Sequence, residues 1–302
     1  MTWFFIALLA PALWAAVNHI DKFIVSKYFT GKGVGSLVIF TSLSSLIVSV
    51  LILIFDCRAI NFPLTSAVVI AINGAVLVAS YIPYLYALEK EEASWTSTLY
   101  QMIPVFGYIL GLIFLKEGLS LIQLFASILI LTGAAFISLD FSQKISFKWR
   151  PFWLMMLSSF MIAINAVVFK IIALDQSFWG KAFWEYFGGA LFGLGLFIFI
   201  KLYREQFIET AKRARAFVFG LNIFSELLNI VAKLLANFAS LLAPLALVWV
   251  VNGFQPLIVF IYGLILTIFF PWIGKENISK KSIFQKLIAI AIIFIGAYLL
   301  FA

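Results

Sequence analysis

Apolar residues run along this chain in blocks of about 20, the length an α-helix needs to cross the hydrocarbon core of a bilayer. Short connectors holding most of the charge separate them. Ten such blocks predict ten membrane spans: Trp3–Ile20, Ser36–Phe55, Leu64–Leu88, Ser94–Leu115, Leu121–Leu139, Pro151–Leu174, Phe178–Ile200, Phe217–Ser240, Ala243–Phe270 and Ile283–Phe301. In lipid every backbone polar group must be satisfied within the protein, which such helices achieve. The expected fold class is therefore an all-α integral membrane protein of ten transmembrane helices.

The polar marks within these blocks recur. Tyr100-Gln-Met-Ile-Pro104 is followed by Lys116-Glu117-Gly-Leu-Ser, Gln123 and an apolar run through Gly133. Asn252-Gly-Phe-Gln-Pro256 is followed by Lys275-Glu276-Asn-Ile-Ser, Lys286 and an apolar run through Gly296. Asn18-x3-Lys22 in the first block resembles Asn165-x4-Lys170 in the sixth. The chain reads as two copies, residues 1–140 and 141–302, with five spans each. Because five is odd, the second copy enters from the opposite side, giving two inverted five-helix repeats. Inverted halves meeting at the midplane offer two exchangeable states, as alternating access requires.

Composition supports the membrane reading. Apolar and aromatic residues make up 64%, charged residues 11%, and a soluble domain could not cover itself with so little polar surface. Met1-Thr2-Trp3 lacks the basic charge of a signal-peptide n-region, and Asn18-His19-Ile-Asp21-Lys22 follows where cleavage would fall, so an uncleaved first helix is expected. A single cysteine, Cys57, excludes an intramolecular disulfide, and a single histidine, His19, excludes the usual His-cluster metal sites. No cofactor is expected. The longest connector, Lys201–Arg215, is too short for a catalytic domain. The net charge of +8 fits contact with anionic lipid head groups, not nucleic acid. Sixteen of the 21 Lys and Arg residues cluster around the connectors after spans 1, 3, 5, 7 and 9. The positive-inside rule places those connectors in the cytoplasm and both termini outside.

Polar groups inside spans are costly, so each needs a reason. Asn222, Glu226, Asn229 and Lys233 share one helix face in the eighth block, and Glu226 is too deep to reach either interface. It is the candidate seat for a cationic group or a proton, weighed against a structural pairing with Lys233. Trp14 and Asn18 share a face of the first block with Pro11 and Lys22, and Asn165 matches Asn18 in the sixth. Lys22 and Lys170 equally fit the role of helix-end markers, and His19 that of a packing residue. Ser97, Tyr100, Gln101 and Tyr108 surround Pro104, as Trp249, Asn252 and Gln255 surround Pro256. A proline inside a helix leaves a carbonyl without its partner, so these two positions point to the solute site and to helix bending. Asn73, Ser80, Tyr81 and Tyr84 add a further polar side in the third block. The pocket so lined is aromatic, amide-rich and lightly charged, suited to an amino-acid-like or amphiphilic organic solute. Gly107-x3-Gly111 and Gly189-x3-Gly193 are expected to mark close helix contacts, and Glu185 to lie at an interface.

These residues resemble the EamA group of the drug/metabolite transporter superfamily. The resemblance is carried by Ala12-Leu-Trp14 with Asn18 and Lys22, by Tyr84-Leu-Tyr-Ala-Leu88 leading to Pro104, and above all by Leu115-Lys-Glu117-Gly-Leu-Ser-Leu-Ile-Gln123 with Gly133. The second half repeats it more loosely, ending in Gly296-Ala-Tyr-Leu-Leu. It implies a ten-helix secondary transporter with a central cavity lined by helices 1, 3, 4, 6, 8 and 9, and it implies no particular solute. Two features depart from the family. Many relatives are thought to keep both termini in the cytoplasm, and the residues Phe269–Gly274 around Pro271-Trp272 lengthen the ninth block.

The expected function is secondary transport of a small organic metabolite by alternating access, with Glu226 as candidate proton site. A flippase for lipid or lipid-linked substrates on the same helices is the alternative. A lipid-modifying membrane enzyme is the remote one, since no nucleophile–base pair, carboxylate dyad or metal cluster is visible. The expected partners are the solute and membrane lipids. The expected location is the plasma (inner) membrane of a bacterium or archaeon.

Overall fold

A computed structural model of the protein describes residues 2–28, 34–88, 99–138, 149–173, 177–213, 216–270 and 280–299. Among the described residues the chain forms twelve α-helices and no strand. They are α1 (Thr2–Tyr28), α2 (Val34–Phe55), α3 (Leu64–Leu88), α4 (Met102–Leu110), α5 (Leu121–Ser138), α6 (Trp149–Ala173), α7 (Phe178–Phe199), α8 (Lys201–Arg213), α9 (Ala216–Leu242), α10 (Leu245–Val250), α11 (Gln255–Phe269) and α12 (Lys280–Leu299). Seven stretches are long and apolar enough to cross a membrane, and Met102–Leu115, Leu121–Gly133 and Ile283–Leu299 are shorter apolar helices.

Three elements differ from the sequence expectation. The connector after Ile200 is itself a helix, α8. Its Tyr203 is buried against α2 and its Gln206 side chain accepts the Gly35 N–H at 3.0 Å, while Lys201, Glu205 and Lys212 stay exposed. A one-sided helix of this kind lies along a membrane interface. The ninth block is not continuous: α10 passes through a 3₁₀ turn, Val251–Phe254, into α11. The third difference concerns the two matched prolines, which start helices instead of bending them. Pro104 lies in the first turn of α4, and Pro256 in the first turn of α11, where no intrahelical N–H donor is needed. The carbonyls four residues earlier are not left free. Tyr100 O accepts from Ile103 N at 3.0 Å, and Asn252 O accepts from the Gln255 N–H. The same 3₁₀-type turn thus solves the same problem in both places.

Several helix contacts come in matched sets: α1 on α9 and α6 on α3, α4 on α6 and α11 on α1, and the pairs α2–α7 and α5–α12; the α3–α7 contact, as extensive as α3–α6, has only a weak counterpart in α9–α2. The α5–α12 crossing is close because each helix offers a glycine. A Cβ on Gly133 would lie 2.7 Å from Ile293, and one on Gly296 would lie 2.8 Å from Ile130. At the α3–α7 crossing a Cβ on Gly74 would lie 1.8 Å from the Glu185 carbonyl oxygen. Gly189 and Gly193 face α3 and α2 as expected, whereas Gly107 has nothing within 4 Å. The α4 surface meets α6 instead through Phe106 against Phe160, with ring centroids 5.4 Å apart.

Gly74→Leu is expected to force α3 and α7 apart, at a cost of about 1–3 kcal/mol for overpacking. Scanning fluorimetry of the purified protein in detergent checks this. A midpoint equal to that of the wild type would mean that the two helices are not locked at that crossing.

Candidate functional site

The site is built on α9. Glu226, Asn229 and Lys233 recur at three- and four-residue steps, so one face of the helix carries all three toward α1, α2, α3 and α7. Glu226 Oε1 accepts from the Thr41 hydroxyl of α2 at 2.7 Å, and Oε2 from Asn229 Nδ2 at 3.4 Å. Asn229 Oδ1 in turn accepts the Trp14 indole N–H of α1 at 2.8 Å. Trp14 stacks on Trp249 of α10, with centroids 6.1 Å apart and rings inclined by 15°. A cavity of about 20 Å³ lies against this chain, lined by Glu226, Asn229, Lys233, Thr41, Tyr81 and Tyr186 among others. That volume holds a water molecule and no organic solute.

Lys233 points to a second carboxylate, which is a correction to the sequence reading. Glu185 is not interfacial; it is 1% exposed, about 10 Å along α7 from Phe178 at 1.5 Å per residue. Its Oε1 accepts from Asn165 Nδ2 of α6 at 2.7 Å and from Asn73 Nδ2 of α3 at 3.4 Å. Asn73 and Asn165 also bond to one another's backbone, Nδ2 to O at 3.0 and 3.1 Å. Lys233 Nζ stands 3.1 Å from Glu185 Oε2 and 5.7 Å from the centre of the Tyr186 ring. Asn73, Asn165 and Lys233 thus converge on a residue assigned elsewhere.

The other predicted residues are more dispersed. Tyr84 and Tyr100 pair with each other, centroids 5.0 Å apart, between α3 and the start of α4. Gln101 is a half-buried turn residue, and Asn252 a half-buried member of the 3₁₀ turn. Asn18 is exposed on α1 and joins none of these contacts. His19 Nε2 lies 2.9 Å from the Val259 carbonyl, tying α1 to α11 as a packing residue. The side chains of Asn222, Lys22 and Pro256 lie outside the described residues, as do Ser97, Lys275, Glu276 and 271–274.

A second polar cluster joins the segment after α4 to α6 and to the α9–α10 joint. Glu117, just after α4, pairs through Oε1 with the Lys170 ammonium of α6. Its Oε2 accepts the Leu245 N–H at 2.8 Å, capping α10. Lys170 also donates to the Ala243 carbonyl, just beyond the end of α9, at 2.8 Å. Each charge sits at the helix end whose dipole favours it. Lys116 reaches the turn with φ 55°, the one positive-φ non-glycine residue among those described. Ser120 and Gln123 then form a reciprocal cap on α5, with bonds of 3.2 and 3.0 Å.

Residues 1–139 match the model of the EamA-like transporter family. Over that stretch the chain is similar to the EamA-like transporters. That similarity and the long apolar helices make the protein an integral membrane protein. No curated protein matches the chain. Among solved structures, 27 chains match. One, described as "Crystal structure of protein", superposes with a TM-score of 0.71 over 99% of this chain and 95% of its own, at 13% identity. That likeness, over nearly the whole chain, is one of fold alone and says nothing about the solute.

The stretch Lys116–Gln123, which carries the resemblance, has a structural account at four positions: a left-handed turn, an ion pair to Lys170 and both partners of a helix cap. Sequence reasoning missed Thr41, Glu185, Tyr186 and the Glu117–Lys170 pair. A signal was present for Glu185, a carboxylate well inside an apolar block with Gly188 and Gly189 beside it. None marked Thr41, because a threonine in a membrane helix is ordinarily satisfied by its own backbone.

Proposed function

We propose that this protein is a secondary transporter of a small organic solute, working by alternating access between inverted five-helix halves, residues 1–140 and 141–302. It would act in the plasma membrane of a bacterium or archaeon. One observation carries the reading. Glu226 is a carboxylate inside a membrane helix that faces a cavity, yet among the described residues it has hydroxyl and amide donors and no cationic partner. A carboxylate kept there without a counter-ion is a seat for a cationic group or a proton. The matched contacts of α1–α9 with α3–α6, and the matched turns before Pro104 and Pro256, support the two-half arrangement. In this state Glu117 and Lys170 hold one end shut across the halves, and α9 links that clamp to the cavity.

The test is thermal unfolding of the purified protein against a library of metabolites and lipids, beside Glu226→Gln. A solute that binds the native state raises the midpoint by mass action. Stabilisation of the wild type by one class of amine-bearing solute, and not of Glu226→Gln, is the expected result. If lipids alone move the midpoint, the protein is a flippase instead. For coupling, Glu226→Gln in proteoliposomes is expected to lose the dependence of transport on a pH gradient; its retention would remove Glu226 as the proton site.

A further inference from the structure

Two donor groups that face the cavity lack a full set of hydrogen bonds among the described residues. One is the Lys233 ammonium, the other the Tyr186 hydroxyl on a side chain that is 94% buried, its residue being 6% exposed. Buried polar groups in native proteins are nearly always satisfied, so two orphans on adjoining sides of one cavity call for an explanation. Glu185 supplies charge compensation but not a full set of bonds. Its Oε1 is fixed from behind by Asn165 and Asn73, on helices α6 and α3. Its Oε2 stands 3.1 Å from Lys233 Nζ without a hydrogen-bond alignment. The carboxylate is the anchored partner, and the lysine, on a flexible four-carbon stem from α9, is the adaptable one.

We propose that Lys233 and the Tyr186 hydroxyl form the seat for a carboxylate of the solute, with Glu185 holding Lys233 charged and in place while that seat is empty. An ammonium has three N–H donors, so Lys233 can bridge Glu185 and a second carboxylate at once. The Asn73 and Asn165 amides keep Glu185 Oε1 bonded while it does so. Glu226 lies seven residues earlier on the same face of α9, about 10 Å along its axis. A solute with a carboxylate at Lys233 and an amine toward Glu226 would complete both ends. Leu77, Val78 and Ile230 between them form an apolar wall. The solute class is then a zwitterionic, apolar amino-acid-like molecule. Glu185 is a positioning residue, touching the lysine and not the solute.

This inference rests on the cavity reading above, so the probes separate the two. They are L-phenylalanine, L-phenylalaninamide, which lacks the carboxylate, and N-acetyl-L-phenylalanine, which lacks the amine. Binding to the protein in lipid nanodiscs is measured calorimetrically and by thermal shift at millimolar concentrations. The expected result is that the zwitterion binds best and that Tyr186→Phe weakens both carboxylate probes about tenfold, the worth of a hydrogen bond to a charged group. Glu185→Gln, which leaves Lys233 without its internal counter-ion, is expected to tighten them by a similar factor. The neutral double variant E185Q/K233M removes the seat without leaving a lone buried charge. It should lose the carboxylate probes and keep phenylalaninamide. If N-acetyl-L-phenylalanine fails to bind, or binds the double variant as it binds the wild type, the carboxylate seat is overturned. Binding of phenylalaninamide that depends on Glu226 would then leave the cavity reading standing. If no probe binds, both fall.

Discussion

Lys233→Met is expected to destabilise the protein by about 3–5 kcal/mol, the usual consequence of removing one partner from a buried ion pair. The reason lies in what remains. Glu185 is 1% exposed, and its Oε2 would face an apolar methionine stem while Oε1 stays bound to Asn165 and Asn73. E185Q/K233M, which removes both charges, is expected to recover most of the loss, because a glutamine amide needs no counter-ion. Thermal unfolding of the three variants in one detergent makes the comparison. If Lys233→Met unfolded like the wild type, the pair would hold no structural energy.

The second large effect is expected at the clamp. Lys170→Met removes the ion pair to Glu117 and the bond to the Ala243 carbonyl together. Breaking one side of a buried, hydrogen-bonded charge pair costs about 2–5 kcal/mol. For a closed state losing that much relative to an open one, the closed-to-open ratio falls by at least about 30-fold. The readout is a cysteine placed at Leu247, which is 3% exposed on α10, in a Cys57→Ser background free of other thiols. A membrane-impermeant maleimide applied at the 116–120 end should label it faster in Lys170→Met by that factor. Unchanged labelling would mean the clamp does not control that end. The exchange E117K/K170E restores opposite charges but neither backbone bond. An ammonium cannot accept from the Leu245 N–H, and a carboxylate cannot donate to the Ala243 carbonyl. Labelling should therefore remain fast, which separates helix capping from simple charge attraction.

Both predictions concern residues whose type was legible but whose partners were not. A run of about 20 apolar residues identifies a helix in lipid whatever its neighbours do. Spacing at three and four then places Glu226, Asn229 and Lys233 on one face. Neither fact says which other helix that face meets. Glu226 and Glu185 look alike in sequence, two lone carboxylates in apolar blocks. Only the crossing of α3, α6 and α7, set by Gly74 and Gly188 at backbone contact, gives Glu185 a lysine and two amides and leaves Glu226 with Thr41 and Asn229. Lys170 is a similar case. Its position near the end of α6 was visible, but its burial at 3% exposure follows from the fold bringing Glu117 and the α9–α10 joint to it.

The prolines show the same limit from the other side. Their matching places in the two halves were read directly, and the backbone rule that a proline orphans a carbonyl is sound. Its outcome was local all the same, because a 3₁₀ turn supplied Ile103 N and Gln255 N to the two carbonyls. By itself the sequence determined a helical membrane protein whose halves echo each other, with a polar face on the helix that carries Glu226. Those properties follow from hydropathy and helical period, which act along the chain. Tertiary structure alone decided which charges are paired with another charge and which are met only by hydroxyl and amide groups, because each of those depends on side chains brought together from distant helices.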